Sequence, residues 1–281
     1  MRLDLVDVFA NGPQSGNPLA VVRDGEGLDD ARMLALARWL GFSETAFLLP
    51  PTDPAADYRV RIFYPAGELP FAGHPTLGSA FAWLAAGGQP KSHGAVIQQC
   101  GAGLVEVRRE IGQLAFRAPP QRRSGPLSAE DRAEAIRVAG VAEAAVVGAV
   151  HADNGPGWKL LHLRTLDDLL AAEPVGRTPA PVAVGLVAPH PGGSRLAFEL
   201  RAFFADASGR VCEDPVTGSL NAAAAQYLLD AGLAPDDYLA GQGRMVGADG
   251  RVHVRREADG GVWIGGVARA VSMGGRLTPL A

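Results

Sequence analysis

Three short segments of the 281-residue chain carry side chains able to do proton chemistry. Gly73-His74-Pro75-Thr76 and Val216-Thr217-Gly218-Ser219 each open an apolar segment with helical character, and Asp214 stands just ahead of the second. A helix start offers unpaired backbone N–H groups and the positive end of the helix dipole, so it attracts anions. One such start is ordinarily no more than the beginning of a helix. Two of them, duplicated and flanked by His74 and Asp214, are expected to converge on one small carboxylate or enolate. The third segment is Gly41-Phe42-Ser43-Glu44-Thr45-Ala46-Phe47. A lone Glu between a helix and a strand is usually a solvated surface residue, but Glu44 is flanked by Phe42 and Phe47 and runs directly into an apolar strand. A carboxyl in such surroundings would have its pKa raised by desolvation, as a proton shuttle near neutral pH requires. The residues alone leave both readings of Glu44 open.

Other reactive side chains lack a chemical context. Cys100-Gly101-Ala102-Gly103 lies between strand-like segments 95–99 and 104–109 and reads as a hairpin turn. Cys212, two residues before Asp214, reads as structural, with a place beside the site as the alternative. His162 falls in a strand and His253 in a hairpin, while His93, His151 and His190 fall in loops. None has zinc-ligand spacing, so no metal is expected. Gly87-Gly88 and Gly192-Gly193 lack the strand, Gly-x-Gly-x-x-Gly and helix order of a dinucleotide site.

The elements that must position these residues recur along the chain. Residues 103–110 read Gly-Leu-Val-Glu-Val-Arg-Arg-Glu and residues 250–257 read Gly-Arg-Val-His-Val-Arg-Arg-Glu, six identities in eight. Each leads through a polar turn into a further strand, forming a hairpin. Ahead of each hairpin lies the same series of strand (Phe63-Tyr64; Phe203-Phe204), polar loop and apolar helix, at an offset of about 145 residues. Pro75 suits a first helical turn, and glycines close both helices at Gly87 and Gly232. The helix bodies are apolar nearly all round, so each must be buried on all sides. The expected fold is therefore α+β, with two pseudo-symmetric lobes, each a curved β-sheet wrapped around one central helix. Residues 29–40 and 128–138 read as outer helices, the latter with Ser128 as cap. Pro119-Pro120-Gln121-Arg122-Arg123-Ser124-Gly125-Pro126 reads as a linker without regular structure. The expected division is 1–118, completed by 270–281, and 119–269, with the active site in the cleft between them.

Composition narrows the function class. Hydrophobic residues make up 47% and charged residues 20%, a packed globular profile. Net charge is −4, and the nearest thing to a basic cluster is Arg117, Arg122 and Arg123, too sparse for a nucleic-acid surface. No stretch approaches the roughly 18 apolar residues of a membrane span. The start, Met1-Arg2-Leu3-Asp4-Leu5-Val6-Asp7, alternates like a strand and carries two acids, unlike a signal peptide. Two cysteines make no disulfide framework, and a cytoplasmic location is expected.

Four motifs in order resemble one family. They are Asp7-Val8-Phe9 with Gly16-Asn17-Pro18-Leu19-Ala20-Val21-Val22, Ser43-Glu44-Thr45-Ala46-Phe47, Phe71-Ala72-Gly73-His74-Pro75-Thr76, and Glu213-Asp214-Pro215-Val216-Thr217-Gly218-Ser219. Together they are similar to the PhzF-like isomerases of phenazine biosynthesis, whose fold is that of diaminopimelate epimerase. The resemblance runs from residue 4 to Val262-Trp263-Ile264-Gly265-Gly266. It implies a cofactor-free isomerase acting on a small carboxylic acid, and a homodimer. It implies Glu44 as general acid/base, with His74, Asp214 and Ser219 holding substrate and assisting proton transfer. Backbone amides near Gly73 and Gly218, beside Thr217, would take the substrate carboxylate, and Asn17 matches a polar residue near the cleft. Two-base epimerases of this fold carry a thiol at each helix start; the corresponding positions read as Ala72 and Pro215. Many members of the family have an Arg where this chain has Ala248, so either the substrate polarity differs or Arg244 takes over that charge. An amino-acid racemase using Cys212, or a small-ligand binder that has lost catalysis, are the alternatives.

Overall fold

A computed structural model describes residues 1–206 and 208–278. Residues 279–281, assigned by the sequence to the end of the first lobe, lie outside the described residues. The chain divides into two compact units, Met1–Arg117 with Gly265–Ala281, and Ala118–Ile264.

In the first unit the strands are β1 (Arg2–Val8), β2 (Asn17–Arg23), β3 (Thr45–Leu49), β4 (Tyr58–Tyr64), β5 (Gly67–Leu69), β6 (Ala95–Cys100), β7 (Gly103–Glu110), β8 (Gln113–Arg117) and the returning β18 (Ala268–Arg276). β18, β1 and β2 pair antiparallel in succession. Helix α1 (Asp30–Leu40) then crosses over so that β3 runs parallel to β2. β4 pairs antiparallel with β3, and its edge is shared by β5 and, after helix α2 (Gly73–Ala85), by the parallel β6. β7 and β8 complete the sheet as antiparallel hairpins.

The sheet curls around α2, which packs against β1, β2, β3, β6, β7, β8 and β18. This close approach needs a missing side chain. A Cβ on Gly78 would stand 2.5 Å from Leu19 Cδ2 and 2.9 Å from Val8 Cγ2. The amphipathic α1 packs Met33, Leu36 and Ala37 on Val22, Phe47 and Phe63, forming an outer layer.

The second unit repeats this connectivity. Its strands are β9 (Arg123–Pro126), β10 (Val146–Asp153), β11 (Trp158–Leu163), β12 (Ala183–Pro189), β13 (Phe198–Ala205), β14 (Val211–Asp214), β15 (Asp237–Gln242), β16 (Gly250–Arg256) and β17 (Val262–Gly266). β10 and β11 are antiparallel, β11 and β12 are parallel, and β13 is antiparallel to β12. The edge of β13 is shared by β14 and, after helix α5 (Gly218–Asp230), by the parallel β15. α5 packs on β10, β11 and β16. Here the missing side chain belongs to the sheet: a Cβ on Gly185 would lie 2.2 Å from Leu220 Cδ1. Both central helices also end alike. In α2, Gly87 N–H reaches Leu84 O and Gly88 N–H reaches Trp83 O; beyond α5, Gly232 and Leu233 reach Leu229 O and Leu228 O. Gly87 and Gly232 have φ of 95° and 67°, where glycine is favoured.

Two expectations need correction, and one element went unread. The stretch read as an irregular linker contains β9, paired antiparallel with β10 from Arg123↔Asp153 to Pro126↔Val150. Pro126 is tolerated because it ends an exposed strand, where a proline costs least. His151 lies within β10 rather than in a loop. The expected outer helix forms as α3 (Ala129–Ala139), capped by Ser128, but a second, α4 (Leu166–Leu170), makes the crossover between parallel β11 and β12. At five residues, α4 is too short to show a helical period. Among the described residues no helix is long and apolar enough to cross a membrane.

Candidate active site

In the first unit, Glu44 sits on the turn between α1 and β3. Gly41 ends α1 in a left-handed conformation, φ 75°, and turns the chain so that Glu44 immediately precedes Thr45. His74 is the second residue of α2 and is buried. The two side chains meet: His74 Nε2 lies 3.7 Å from Glu44 Oε2. That separation exceeds a hydrogen bond, and Nε2 has no hydrogen-bond partner among the described residues. Burial lowers the His74 pKa from its usual value to about 3, so the imidazole is neutral at physiological pH. A neutral imidazole nitrogen beside a carboxylate is suited to hydrogen-bond a substrate, because it adds no competing charge. Gly73 opens the helix, and Asn17 opens β2, fully buried and opposite Val8.

The helix starts differ by layer. Outer helices α1, α3 and α4 are each capped by a side chain, Asp29, Ser128 and Thr165, accepting from a first-turn amide. Central helices α2 and α5 follow Ala72 and Thr217 and have no side-chain cap. Ala72 has no group to offer. Thr217 has a hydroxyl but uses it elsewhere, donating to Asp214 Oδ2 at 2.5 Å. The first-turn amides of both central helices are therefore not taken by a side-chain cap, the condition for anion binding.

In the second unit, Asp214 ends β14, Thr217 precedes α5, and Gly218 and Ser219 are its first two residues. Trp158 Nε1–H donates to Ser219 Oγ at 3.1 Å, and Asn154 Nδ2 donates to Ser219 O at 2.9 Å. Indole can only donate, so Ser219 accepts there and keeps its own O–H to give. Asp214 is held through its neighbour: Arg201 grips Glu213 in a two-pronged pair at 3.0 and 2.8 Å and also donates to Leu169 O within α4 and Ala172 O just beyond it. The structure thus groups Glu44 with His74 and Gly73, and separately Asp214 with Thr217, Gly218 and Ser219.

Residues 6–276 match the family model described as phenazine biosynthesis-like protein, PhzC-PhzF. The chain belongs to this family. An uncharacterized isomerase of Pasteurella multocida is 29% identical over 282 residues, covering 98% of this chain and 93% of that protein. A trans-2,3-dihydro-3-hydroxyanthranilate isomerase of Pseudomonas fluorescens is 33% identical over 171 residues, 60% of each chain. The matched stretch likewise covers 60% of the Schizosaccharomyces pombe protein Antisense-enhancing sequence 1. A Bacillus anthracis structure of the PhzF family superposes with a TM-score of 0.81 over 99% of each chain at 21% identity. The α+β fold and the isomerase class expected from the motifs are those of the PhzC-PhzF family.

One PhzF-family correspondence changes on the structure. Helices α2 and α5 both begin on glycine, so the counterpart of Ala72 is Thr217, not Pro215. The offset shifts by two because Pro215 and Val216 form the approach to the helix rather than its cap. Neither position bears a thiol. Cys100 ends β6 at a hairpin turn, and burial raises its pKa, which disfavours the thiolate. Cys212 lies on β14, two residues from Asp214. Arg244 does not simply stand in for an arginine at Ala248: its Nη2 reaches to within 3.9 Å of Glu199 Oε2, while the side chain is half exposed. Sequence reasoning missed Gln242 and Asn221, which bind each other and Thr217 in the second unit. The signal for Gln242 was a long polar side chain in the otherwise apolar run Leu239-Ala240-Gly241.

Proposed function

We propose that this protein is a cofactor-independent isomerase that moves a proton between two carbons of a small carboxylic acid. The observation that carries the reading is the approach of Glu44 to neutral His74 at the uncapped start of α2. Glu44, as carboxylate, takes a proton from a carbon next to an acidifying group. Negative charge then spreads into the substrate, where first-turn amides beginning at Gly73 stabilise it. His74 donates or accepts a hydrogen bond through Nε2 without changing the net charge. Glu44, now a carboxylic acid, returns the proton at a second carbon, so neither oxidant nor metal enters the balance. Thr217, Gly218 and Ser219 are assigned to substrate binding, Asp214 to proton relay, and Asn17 to the substrate-binding side of β2.

The names of the Pseudomonas relatives make trans-2,3-dihydro-3-hydroxyanthranilate, a cyclic amino-carboxylate, the first compound to assay. The resemblance implies an Arg in many family members where this chain has Ala248, so a less anionic relative of that compound belongs in the same panel. Product formation is followed by proton NMR in D₂O. Isomerisation by the wild type that vanishes in Glu44→Gln supports the reading; isomerisation that persists in Glu44→Gln refutes it.

A further inference from the structure

The first turn of α5 is gripped by the loop between β10 and β11. Asp153 Oδ1 accepts from the N–H groups of Gly155 at 2.7 Å and Gly157 at 2.9 Å. Both glycines take positive φ, 148° and 75°, so the hairpin closes around the Asp153 side chain. Trp158 then opens β11 opposite Ala152, buried at 3% exposure. Packing at that depth holds the indole in one rotamer. From this loop two donors reach the second residue of α5: Trp158 Nε1 bonds Ser219 Oγ at 3.1 Å, and Asn154 Nδ2 bonds Ser219 O at 2.9 Å. A serine hydroxyl has one proton and two acceptor lone pairs. The indole N–H fills one lone pair from a fixed direction, so the Ser219 proton is turned away from Trp158. Trp158 is the one hydrogen-bond partner of Ser219 Oγ among the described residues, and Ser219 is only partly buried.

We propose that Trp158 is a positioning residue that turns the Ser219 hydroxyl into a fixed donor for a carboxylate oxygen of the substrate. The assignment deepens the isomerase reading above by naming the group that Ser219 receives, and it rests on that reading for its kinetic consequence alone. Without the indole, the hydroxyl rotates freely and must be reoriented each time a carboxylate binds. With it, the orientation is set in advance, at a site whose first-turn amides no side chain caps. Hydrogen bonds in a row also reinforce one another. A carboxylate drawing on the Ser219 proton makes Oγ the better acceptor and tightens the bond from Trp158. An anion on Ser219 is therefore registered at the indole N–H.

The test follows the Trp158 indole N–H and the Gly218 and Ser219 amides by nitrogen–proton NMR. Benzoate is the probe, with benzylamine as a cationic control of similar size. The indole is assigned from Trp158→Phe or, should that variant not fold, from its own intraresidue contacts. Benzoate is expected to shift the amides and to move the Trp158 indole proton downfield, and benzylamine to do neither. In Ser219→Ala the amides should still respond while the indole no longer does. In turnover assays on trans-2,3-dihydro-3-hydroxyanthranilate, Ser219→Ala should raise KM at least ~10-fold and Trp158→Phe at least ~5-fold, each with kcat within ~3-fold. Because Trp158 acts through Ser219, the double variant should be no worse than Ser219→Ala alone, within ~2-fold. Losses that multiply in the double variant overturn the proposal. So does an indole unmoved by benzoate, or one that moves equally in Ser219→Ala. A Ser219-dependent indole shift together with an active Glu44→Gln overturns the isomerase reading and leaves the Trp158 assignment standing.

Discussion

Nε2 of His74 stands 3.7 Å from Oε2 of Glu44, close enough for both to touch one substrate atom and too far to satisfy each other. Substituting Glu44→Gln keeps the shape and removes the base. It is expected to bind substrate within about tenfold of wild type and to lose at least ~10³-fold in turnover, the scale of general acid–base catalysis. The wild-type reaction run in D₂O should label the product carbon only partially, because one shuttle can return the original proton. Single-turnover kinetics with NMR readout measures both.

Burial of His74 also sets an acid limit on stability. Its folded pKa, lowered to about 3, lies below the value near 6.5 that it regains on unfolding. Between these values the unfolded chain binds the extra proton, so stability falls as pH drops from 6.5 toward 3. At pH 5 the loss from this group is about 2 kcal/mol relative to neutral pH. Urea titrations at pH 7.5 and pH 5 should show a loss of stability that is about 2 kcal/mol smaller in His74→Gln than in wild type, the remaining loss including His151 and His162, whose pKa values burial also lowers.

Cysteine chemistry is expected to be dispensable. The Cys100→Ser/Cys212→Ser double variant should keep turnover within about fivefold, since no thiol stands at Ala72 or Thr217. A loss of a thousandfold, about 4 kcal/mol of transition-state stabilisation, would instead favour a thiol-dependent racemase.

Overpacking at the first central helix should be costly. A Cβ at position 78 meets Leu19 Cδ2 at 2.5 Å and Val8 Cγ2 at 2.9 Å, both on buried strands. Gly78→Ala is expected to lower unfolding free energy by about 1–3 kcal/mol, despite the better helix propensity of alanine. Equilibrium urea unfolding checks the sign, because propensity alone would raise stability.

The buried fork of Arg201 on Glu213 should be more sensitive still. Arg201→Met leaves an uncompensated carboxylate beside Asp214 and is expected to cost about 3–5 kcal/mol. Adding Glu213→Met should recover part of that loss in the same unfolding assay. The carbonyls of Leu169 and Ala172 would still lack their donor.

What the sequence determined by itself was local or periodic. Apolar runs with glycine ends specified α2 and α5, and the eight-residue repeat marked β7 and β16, because burial on all sides and strand alternation are written residue by residue. The motifs around Glu44, His74 and Asp214 were likewise legible, since each is a short string that a helix or strand terminus presents as a unit. Elements too short to show a period, such as α4 and β9, were not. Tertiary structure alone decided which side chains meet. Glu44 and His74 are thirty residues apart, and only the parallel pairing of β2 with β3 and the packing of α2 on both bring them together. The same holds for Gln242: its partners lie 21 to 28 residues away, and its role depends on donor and acceptor directions that no linear pattern encodes. Even the missing caps of the central helices needed the fold, because Thr217 has the residue type of a cap and loses that role only when Asp214 and Gln242 claim its hydroxyl.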